Sequence, residues 1–238
     1  MTTDQGVPNG APIPDLAELA GEVISCRRCP RLVAWRERAA AYPPARYATE
    51  EYWARPVPGF GDPAARLLVL GLAPAAHGGN RSGRLFTGDR SGDFLFAALN
   101  RAGLANQPGS VAVDDGLVVS GVYITAAVRC APPDNKPLPS ERDNCRPYLL
   151  RELGLLTDIR AILALGRFAW DAARTSLELL GQHTVDGARF GHGAEMKVGR
   201  YRVVGSYHPS QQNTFTGRLT PVMLDRVIVR AWELAAAD

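Results

Sequence analysis

Four short apolar segments, separated by segments of helical character, constrain the fold of this 238-residue chain. They are Arg66–Gly71, Val118–Thr125, Ala161–Gly166 and Arg202–Ser206. Continuous apolar runs of this length are typical of strands buried on both faces, as in parallel sheets. Strands that alternate with helices build crossover units. The pattern therefore predicts a three-layer α/β/α fold with a small, mostly parallel central sheet of four strands.

Segments with a helical period surround these strands. Apolar positions recur on one helical face, and Asp15, Ser91 and Gly181 are typical residues at helix ends. The expected helices are Leu16–Val23, Arg31–Ala40, Asp93–Arg101, Phe168–Leu180 and Pro221–Ala236. Residues 42–62 are rich in proline and aromatic side chains and predict a long surface loop. Residues 1–14 predict a flexible tail, which leaves residues 15–238 as a single domain.

The charge balance does not by itself indicate a nucleic-acid partner. Lysine and arginine number 27 against 24 acidic residues, a net charge of +3. Arginine far outnumbers lysine; this favours phosphate recognition, but a GC-rich genome produces the same bias. The sequence has no run of 18 apolar residues and no secretory signal at its start. We therefore expect a cytoplasmic, nucleoid-associated protein with no membrane contact, acting as a monomer.

Four cysteines have a spacing that predicts one shared site. Cys26 and Cys29 are two residues apart, as in many metal-ligand pairs, and Cys130 and Cys145 follow about a hundred residues later. Without a secretory signal, disulfides are not expected. Four thiolates hold either a structural zinc ion or an iron–sulfur cluster, and four buried structural thiols are the alternative. A shared metal would fasten the N-terminal helix to the α/β body.

A glycine-rich loop, Gly71–Asp89, follows the first strand. It matches neither a dinucleotide-binding fingerprint nor a Walker A loop, since it has no Gly-Lys-Ser/Thr and no Gly-x-Gly-x-x-Gly that opens a helix. Its polar and aromatic side chains are His77, Asn80, Arg81, Arg84, Phe86 and Asp89. Glycines let the backbone approach a ligand closely. Phe86 among arginines and glycines is suited to stacking on a base.

Two further loops are expected at the same edge of the sheet, because parallel strands end together. The loop after the second strand carries Asn135 and Lys136, and the loop after the fourth carries His208 in the motif Ser-Tyr-His-Pro-Ser. With Phe86 and Asp89 from the first loop, an acid, an amide, an aromatic ring and an imidazole would face one crevice. This combination indicates chemistry on a nucleobase.

Three motifs and the cysteine spacing resemble one family. GLAPAAHGGNRSGRLFTGD, TAAVRCAPPDNKP and YHPSQQNTFTGR are similar to the corresponding motifs of family 5 uracil-DNA glycosylases, the iron–sulfur branch of that superfamily. The resemblance extends from Cys26 to the C-terminus. It implies a [4Fe-4S] cluster on Cys26, Cys29, Cys130 and Cys145. It also implies hydrolysis of the N-glycosidic bond of a base that is first flipped out of DNA.

The resemblance also assigns residue roles. His208 would stabilise the negative charge of the departing base, Phe86 would stack on that base, and Asp89 and Asn135 would position water or stabilise the sugar cation. The base pocket would be lined by Gly71, Ala73, Ala75, Phe86 and Ser210. The DNA-binding side chains would be Arg81, Arg84, Lys136, Gln211, Asn213 and Arg218.

One position departs from the wider superfamily. Related branches read uracil with an asparagine in a Thr-Asn motif after the second strand, where this chain has Thr125 and Ala126. Without that amide, other bases are rejected less strongly. We therefore expect a relaxed substrate range that includes uracil, 5-hydroxymethyluracil, ethenocytosine and hypoxanthine. No lysine is placed for Schiff-base chemistry, so a monofunctional enzyme of base excision repair that leaves an abasic site is expected.

The sequence also bears on three other functions. A non-catalytic iron–sulfur domain that binds nucleic acid would carry the same motifs. A covalent uracil-DNA binder is known in one related branch, but its arginine-rich histidine insertion is missing here. A metal-dependent phosphatase or nuclease needs more carboxylates at the strand ends than this sequence offers.

Overall fold

The fold was analysed in a computed structural model that describes residues 14–237, with Pro14 described by its backbone alone. The strands are β1 Phe60–Gly61, β2 Leu67–Gly71, β3 Val122–Ala126, β4 Ala161–Leu165, β5 Thr184–Asp186, β6 Glu195–Val198 and β7 Tyr201–Ser206. The helices are α1 Pro14–Ser25, α2 Pro30–Ala41, α3 Gly79–Ser82, α4 Arg90–Arg101, α5 Pro139–Leu155, α6 Arg167–Leu179, α7 Gln211–Phe215 and α8 Pro221–Ala236. The predicted tail, residues 1–14, lies outside the described residues except for the backbone of Pro14.

Four parallel strands form the centre of the sheet, in the order β3-β2-β4-β7. Every residue of β2, β3 and β4 is buried, which is why each reads as a continuous apolar run. The register aligns Gly71 of β2 with Ala126 of β3, and Leu165 of β4 with Ser206 of β7. The predicted parallel core is confirmed.

The sheet has seven strands, so the predicted number of four is wrong. The three additional strands pair antiparallel: β1 on β3 at one edge, then β6 on β7 and β5 on β6 at the other. β1 has two residues and β5 three, while β6 alternates between exposed and buried side chains. None of them shows the continuous apolar run that identifies a central strand.

The second predicted strand also begins later than expected. Gly121 has φ +69° and ends the extended segment that starts at Val118, so that β3 begins at Val122. Val119 instead forms an isolated antiparallel bridge with Ala105. Gly121 is required here, because a Cβ would lie 2.5 Å from the Trp232 ring.

Helices cover both faces of the sheet. Leu67, Val69 and Ile124 pack in one cluster with α4 and α8, whereas Leu68 and Ile162 pack in a second cluster with α5 and α6. This alternation of side chains gives two cores, one on each side of the strands. The predicted three layers are confirmed. No helix in residues 14–237 is long and apolar enough to cross a membrane.

The five predicted helices are present as α1, α2, α4, α6 and α8. One helix end differs in a way that matters for the site. Ser91 was expected to cap α4, but the cap is Asp89, whose Oδ1 accepts a hydrogen bond of 2.9 Å from the Gly92 amide. α4 therefore starts at Arg90. Residues 42–62 are largely irregular, as expected, with one 3₁₀ turn at Ala45–Tyr47 and the short strand β1.

Candidate active site

The loops after β2, β3 and β7 enclose a cavity of about 640 Å³ at the carboxyl ends of the parallel strands. This volume is typical of small-molecule sites. We call it the strand-end cavity. Its lining includes Phe86, Asp89, Asn135, Lys136, His208 and Ser210. The sequence prediction that an acid, an amide, an aromatic ring and an imidazole meet at one sheet edge is therefore confirmed as a matter of geometry.

Phe86 and His208 face each other in this cavity. Their ring centroids are 6.2 Å apart and their planes are tilted by 32°. Phe86 has φ +53°, which few non-glycine residues adopt. Two glycines permit this placement, since a Cβ would lie 2.8 Å from Phe86 Cζ at Gly71 and 1.8 Å from the Phe86 carbonyl oxygen at Gly92. Gly71 thus packs against the Phe86 ring, whereas Ala73 and Ala75 line the cavity.

His208 is partly buried, in the segment that leaves β7. Desolvation lowers the pKa of His208 to about 4. The imidazole is therefore neutral at pH 7 and carries one ring N–H. The loop around it is held by Asn213, whose Nδ2 donates to the His208 carbonyl oxygen at 2.9 Å. Asn213, predicted to contact DNA, has its amide engaged inside the loop.

Asp89 lies where the glycine loop enters α4. Its Oδ1 caps the helix, and its Oδ2 lies against Gly78, where a Cβ would come within 1.9 Å of that oxygen. Burial raises the pKa of Asp89, and hydrogen bonds from the Gly92 and Ser91 amides oppose that rise. A carboxylate with one oxygen fixed by the helix and the other in a cavity wall is well placed to orient a water molecule.

Asn135 lies on the rim, in a strained 3₁₀ turn at Pro133–Asn135. Asp134 and Asn135 have φ of +53° and +55°. Asparagine and aspartate tolerate this region better than other side chains, and strain of this kind concentrates at functional sites. Lys136 follows with an exposed side chain, and its carbonyl accepts a 3.0 Å hydrogen bond from Arg31.

Arg84 does not lie on a surface that could meet DNA. Its side chain is 8% exposed and binds Asp115 and Ser110, each at 2.7 Å, and Thr87 at 3.0 Å. Burial acts to raise the pKa of Asp115, but hydrogen bonds from Arg84 and from the Val111, Leu117 and Ala112 amides together lower it to about 2. The sequence could not separate this interior ion pair from a phosphate contact, because both need an arginine in a glycine-rich loop.

Arg81 is also committed within the protein. Its guanidinium contacts the Glu50 carboxylate and donates to the carbonyl oxygens of His77 and Gly88, each at 2.9 Å. It also lies 4.2 Å from the centroid of the Tyr47 ring. Arg81 therefore stabilises the loop that carries Asp89, and its guanidinium is not available for contact with a phosphate.

Other predicted DNA-binding side chains are exposed. Gln211 lines the strand-end cavity, and Arg218 lies 4.6 Å from the centroid of the Tyr207 ring. The sequence analysis missed Arg90, which lines the same cavity and lies 5.1 Å from the Phe215 ring centroid. Its position directly after Asp89, at the first turn of α4, was the available signal.

The chain is similar in sequence to proteins of a known superfamily. The sequence model of the uracil DNA glycosylase superfamily matches residues 58–233. The chain belongs to this superfamily. It is 55% identical over 225 residues to the type-5 uracil-DNA glycosylase of Mycobacterium bovis, which covers 94% of this chain and 83% of that protein. The type-5 enzyme of Thermus thermophilus is 51% identical over 214 residues, covering 90% and 95%.

A more distant member of the uracil DNA glycosylase superfamily is also similar. The type-4 uracil-DNA glycosylase of Pyrobaculum aerophilum is 31% identical over 169 residues, covering 71% of this chain and 67% of that protein. The higher identity to type-5 proteins, over most of both chains, confirms the resemblance to family 5 that the motifs indicated.

None of the four cysteines of this superfamily member, all within the described residues, forms a disulfide. Cys130 and Cys145 are buried in one cluster with Leu32, and Cys29 packs against it. Burial raises the pKa of Cys130 to about 12 and that of Cys145 to about 11. Within residues 14–237, no group of three or more His, Cys, Asp or Glu side chains is arranged to hold a metal ion.

Two polar side chains nevertheless contact these sulfurs. Arg36, 2% exposed, donates from Nη1 to Cys130 Sγ at 3.0 Å, and Asn144 donates to Cys29 Sγ at 3.4 Å. A buried guanidinium beside a thiol is unusual unless the sulfur carries negative charge. With the raised pKa values these thiols keep their protons when nothing is bound; a bound metal or cluster would replace the protons, and Arg36 and Asn144 are placed to donate to the resulting thiolates.

A second cavity, of about 630 Å³, adjoins the first. We call it the side cavity. The residues common to both linings are Ala75, Asp89, Arg90, Asp134, Asn135 and Gln211. The far wall of the side cavity carries the aromatic and cationic side chains Trp35, Arg46, Tyr47 and His77. Sequence reasoning missed this wall, since Arg46 and Tyr47 lie in the irregular segment 42–62 and offer no periodic signal.

Proposed function

We propose that this protein is a monofunctional uracil-DNA glycosylase of base excision repair, which hydrolyses the N-glycosidic bond of a flipped base and leaves an abasic site. The observation that carries the proposal is the pairing of Phe86 with a neutral His208 in the strand-end cavity. The likeness to type-5 uracil-DNA glycosylases supports it. As part of this proposal, residues 15–238 act as one monomeric domain on nucleoid DNA in the cytoplasm.

The base would be held and activated by two rings. Phe86 stacks on the flipped base, and His208 donates its one ring N–H to a carbonyl oxygen of that base. As the glycosidic bond breaks, electron density moves onto the base, and the hydrogen bond strengthens with the charge. A single preorganised donor of this kind contributes about 10²- to 10³-fold to the rate. Because the imidazole is neutral, it would stabilise the anionic base through a hydrogen bond and not as a cation paired with it.

Asp89 would act on the deoxyribose of the flipped nucleotide. Its capped oxygen stays on the Gly92 amide, while the other oxygen orients water toward the anomeric carbon or stabilises the cationic sugar. Asn135, on the opposite rim, would hold the same water or the sugar through its amide. The helix start at α4 favours the ionised carboxylate, since amides there donate to it.

The substrate range would be relaxed. Thr125 and Ala126 at the end of β3 are both buried, Ala126 at 1% exposure. The Thr125 hydroxyl donates to Glu152 at 2.9 Å, and Glu152 is paired with Arg129 at 2.5 Å. Neither side chain is left to read a base edge, so discrimination depends on stacking, on cavity shape and on His208. Bases with a carbonyl in a similar position would then be accepted besides uracil.

We infer further that Cys26, Cys29, Cys130 and Cys145 hold a [4Fe-4S] cluster. The donor set of four thiols and the Arg36 guanidinium on Cys130 support this inference. When bound, the cluster would supply structural cross-linking rather than a reacting group. Iron and acid-labile sulfide analysis tests it, and a preparation that holds one zinc ion and no iron would contradict it.

A gel assay tests the glycosylase proposal. A duplex with a single uracil is incubated with protein, and the abasic product is cleaved by heat or alkali. The expected result is strand cleavage that depends on that treatment. The His208→Gln variant should lose about 10²-fold or more in rate, and the exposed His183→Gln variant should retain it. If well-folded, metal-loaded protein binds the duplex but excises nothing, the non-catalytic function replaces this one.

A further inference from the structure

We propose that the side cavity is a subsite for the damaged strand itself, which receives the nucleotide next to the flipped one and places its phosphodiester on Arg46. The proposal rests on the glycosylase function proposed above. It adds a strand contact that lies outside the three motifs and outside the strand-end cavity.

The position of the side cavity is the first argument. The two cavities meet at a common wall that includes both residues proposed to act on the sugar, Asp89 and Asn135, together with Ala75, Arg90, Asp134 and Gln211. A strand that delivers a base to one opening therefore has its next nucleotide beside the other. The volume of about 630 Å³ matches that of the neighbouring cavity, which is sufficient for one nucleoside unit.

The Arg46 guanidinium is the second argument. It is exposed and lies 4.7 Å from the centroid of the Tyr47 ring. Arg46 forms no ion pair within residues 14–237, and Glu50 pairs with Arg81 instead. An arginine that is already stacked on an aromatic ring loses less conformational freedom when it binds a phosphate.

The side chains around Arg46 are held in place by contacts within the protein. Arg81 lies on the Tyr47 ring, and the Tyr52 hydroxyl is 2.8 Å from His77 Nδ1. Burial lowers the pKa of His77, and Arg46 and Arg81 lower it further, so this imidazole is neutral and leaves the positive charge to the arginines. Such a built wall is preorganised for an anion.

The charges on the other side of the cavity select which anion. Asp89, Asp93 and Asp134 line it together with Arg90. Three carboxylates oppose the dianion of a free mononucleotide more strongly than the single charge of a phosphodiester inside a strand. These carboxylates therefore disfavour a free mononucleotide more than a nucleotide within a DNA strand.

The test is a phosphate-by-phosphate binding scan. Duplexes with a stable abasic-site analogue carry one uncharged methylphosphonate at each position within three nucleotides of the lesion. Wild-type protein is compared with Arg46→Gln and with Arg226→Gln, which changes another exposed arginine, on α8 and outside both cavities. Arg46→Gln should bind the unmodified duplex about tenfold more weakly, with the slope of log K against log salt reduced by about 0.9.

The scan should also show one phosphate that is coupled to Arg46. At that position the methylphosphonate weakens wild type and Arg226→Gln by a similar factor and leaves Arg46→Gln unaffected. Equal losses for all three proteins at every phosphate would overturn the subsite. That outcome is distinct from failure of the proposed function, which would appear as wild-type protein that excises no uracil.

Discussion

Gly92 lies directly against Phe86: a Cβ at position 92 would come within 1.8 Å of the Phe86 carbonyl oxygen. Gly92 is also the residue whose amide binds Asp89. One turn of α4 therefore fixes both the ring proposed to stack on the base and the carboxylate proposed to act on the sugar. The position of this turn determines the geometry of the site.

Gly92→Ala should damage both elements at once. The new methyl group pushes Phe86 away and lengthens the Asp89 cap, so we expect a loss of about 1–3 kcal/mol in the free energy of unfolding and a large loss of excision. Gly154→Ala in α5 is the matched control, since a Cβ there meets no atom within 4 Å. Its stability should be unchanged or slightly raised. Equal activity of the two variants would contradict this account.

His208 should make stability depend on pH. Its pKa is about 4 in the folded protein and 6.5 in its ordinary state, so the unfolded chain binds the extra proton first. The stabilisation is complete above pH 6.5 and is lost as the pH falls through 4. His208→Gln should lack this slope, which is at most about 1.4 kcal/mol per pH unit. Urea titrations of both proteins between these pH values measure the difference, and parallel curves would refute it.

Arg84→Met should lower the free energy of unfolding and leave the salt dependence of DNA binding unchanged. Removal of Arg84 leaves the Asp115 carboxylate without its cation, although the Val111, Ala112 and Leu117 amides still donate to it, so we expect a loss of about 1–3 kcal/mol in the free energy of unfolding. Stabilisation by Asp115 is present above its ordinary pKa of 3.8 and is lost as the pH falls through about 2. Denaturation and a salt titration of duplex binding check both parts. A reduced salt slope would show that Arg84 contacts phosphate after all.

Cys145→Ser should release the proposed metal and lower the melting temperature. Metal-binding free energy is folding free energy in sites of this kind, and Cys145 lies in the cluster that joins α2 to the loop after β3. Asn144→Ala is the control, because its amide only donates to Cys29 at 3.4 Å. Iron content and thermal melting are measured together. Full iron retention by Cys145→Ser would remove this cysteine from the ligand set.

The strands that the sequence predicted correctly are those whose side chains are all buried. β2, β3 and β4 are buried throughout, so apolarity alone located them. The edge strands have mixed surroundings and gave no such signal. β3 also started late because Gly121 bends the chain, a property of backbone φ that an apolar run does not reveal.

Site residues could be predicted from the sequence where the strand order fixes their position. They could not be predicted where their position depends on an interaction partner distant in the sequence. Phe86, Asp89 and His208 meet because parallel strands end at one edge. The burial of Arg84 depends on Asp115, a partner 31 residues away. The wall at Arg46 likewise forms through contacts between segments without periodic pattern. Long-range pairing of this kind is set by tertiary packing, which a single sequence does not display.

The antiparallel edges affect how this protein can meet other chains. β1 offers two residues of backbone and β5 three, with a register irregularity between Thr184 and Asp186. Short, irregular edge strands are poor templates for the addition of a foreign strand. Extension of the sheet by a foreign strand is therefore disfavoured at both of its edges. Contact with another molecule is instead expected through loops and side-chain surfaces.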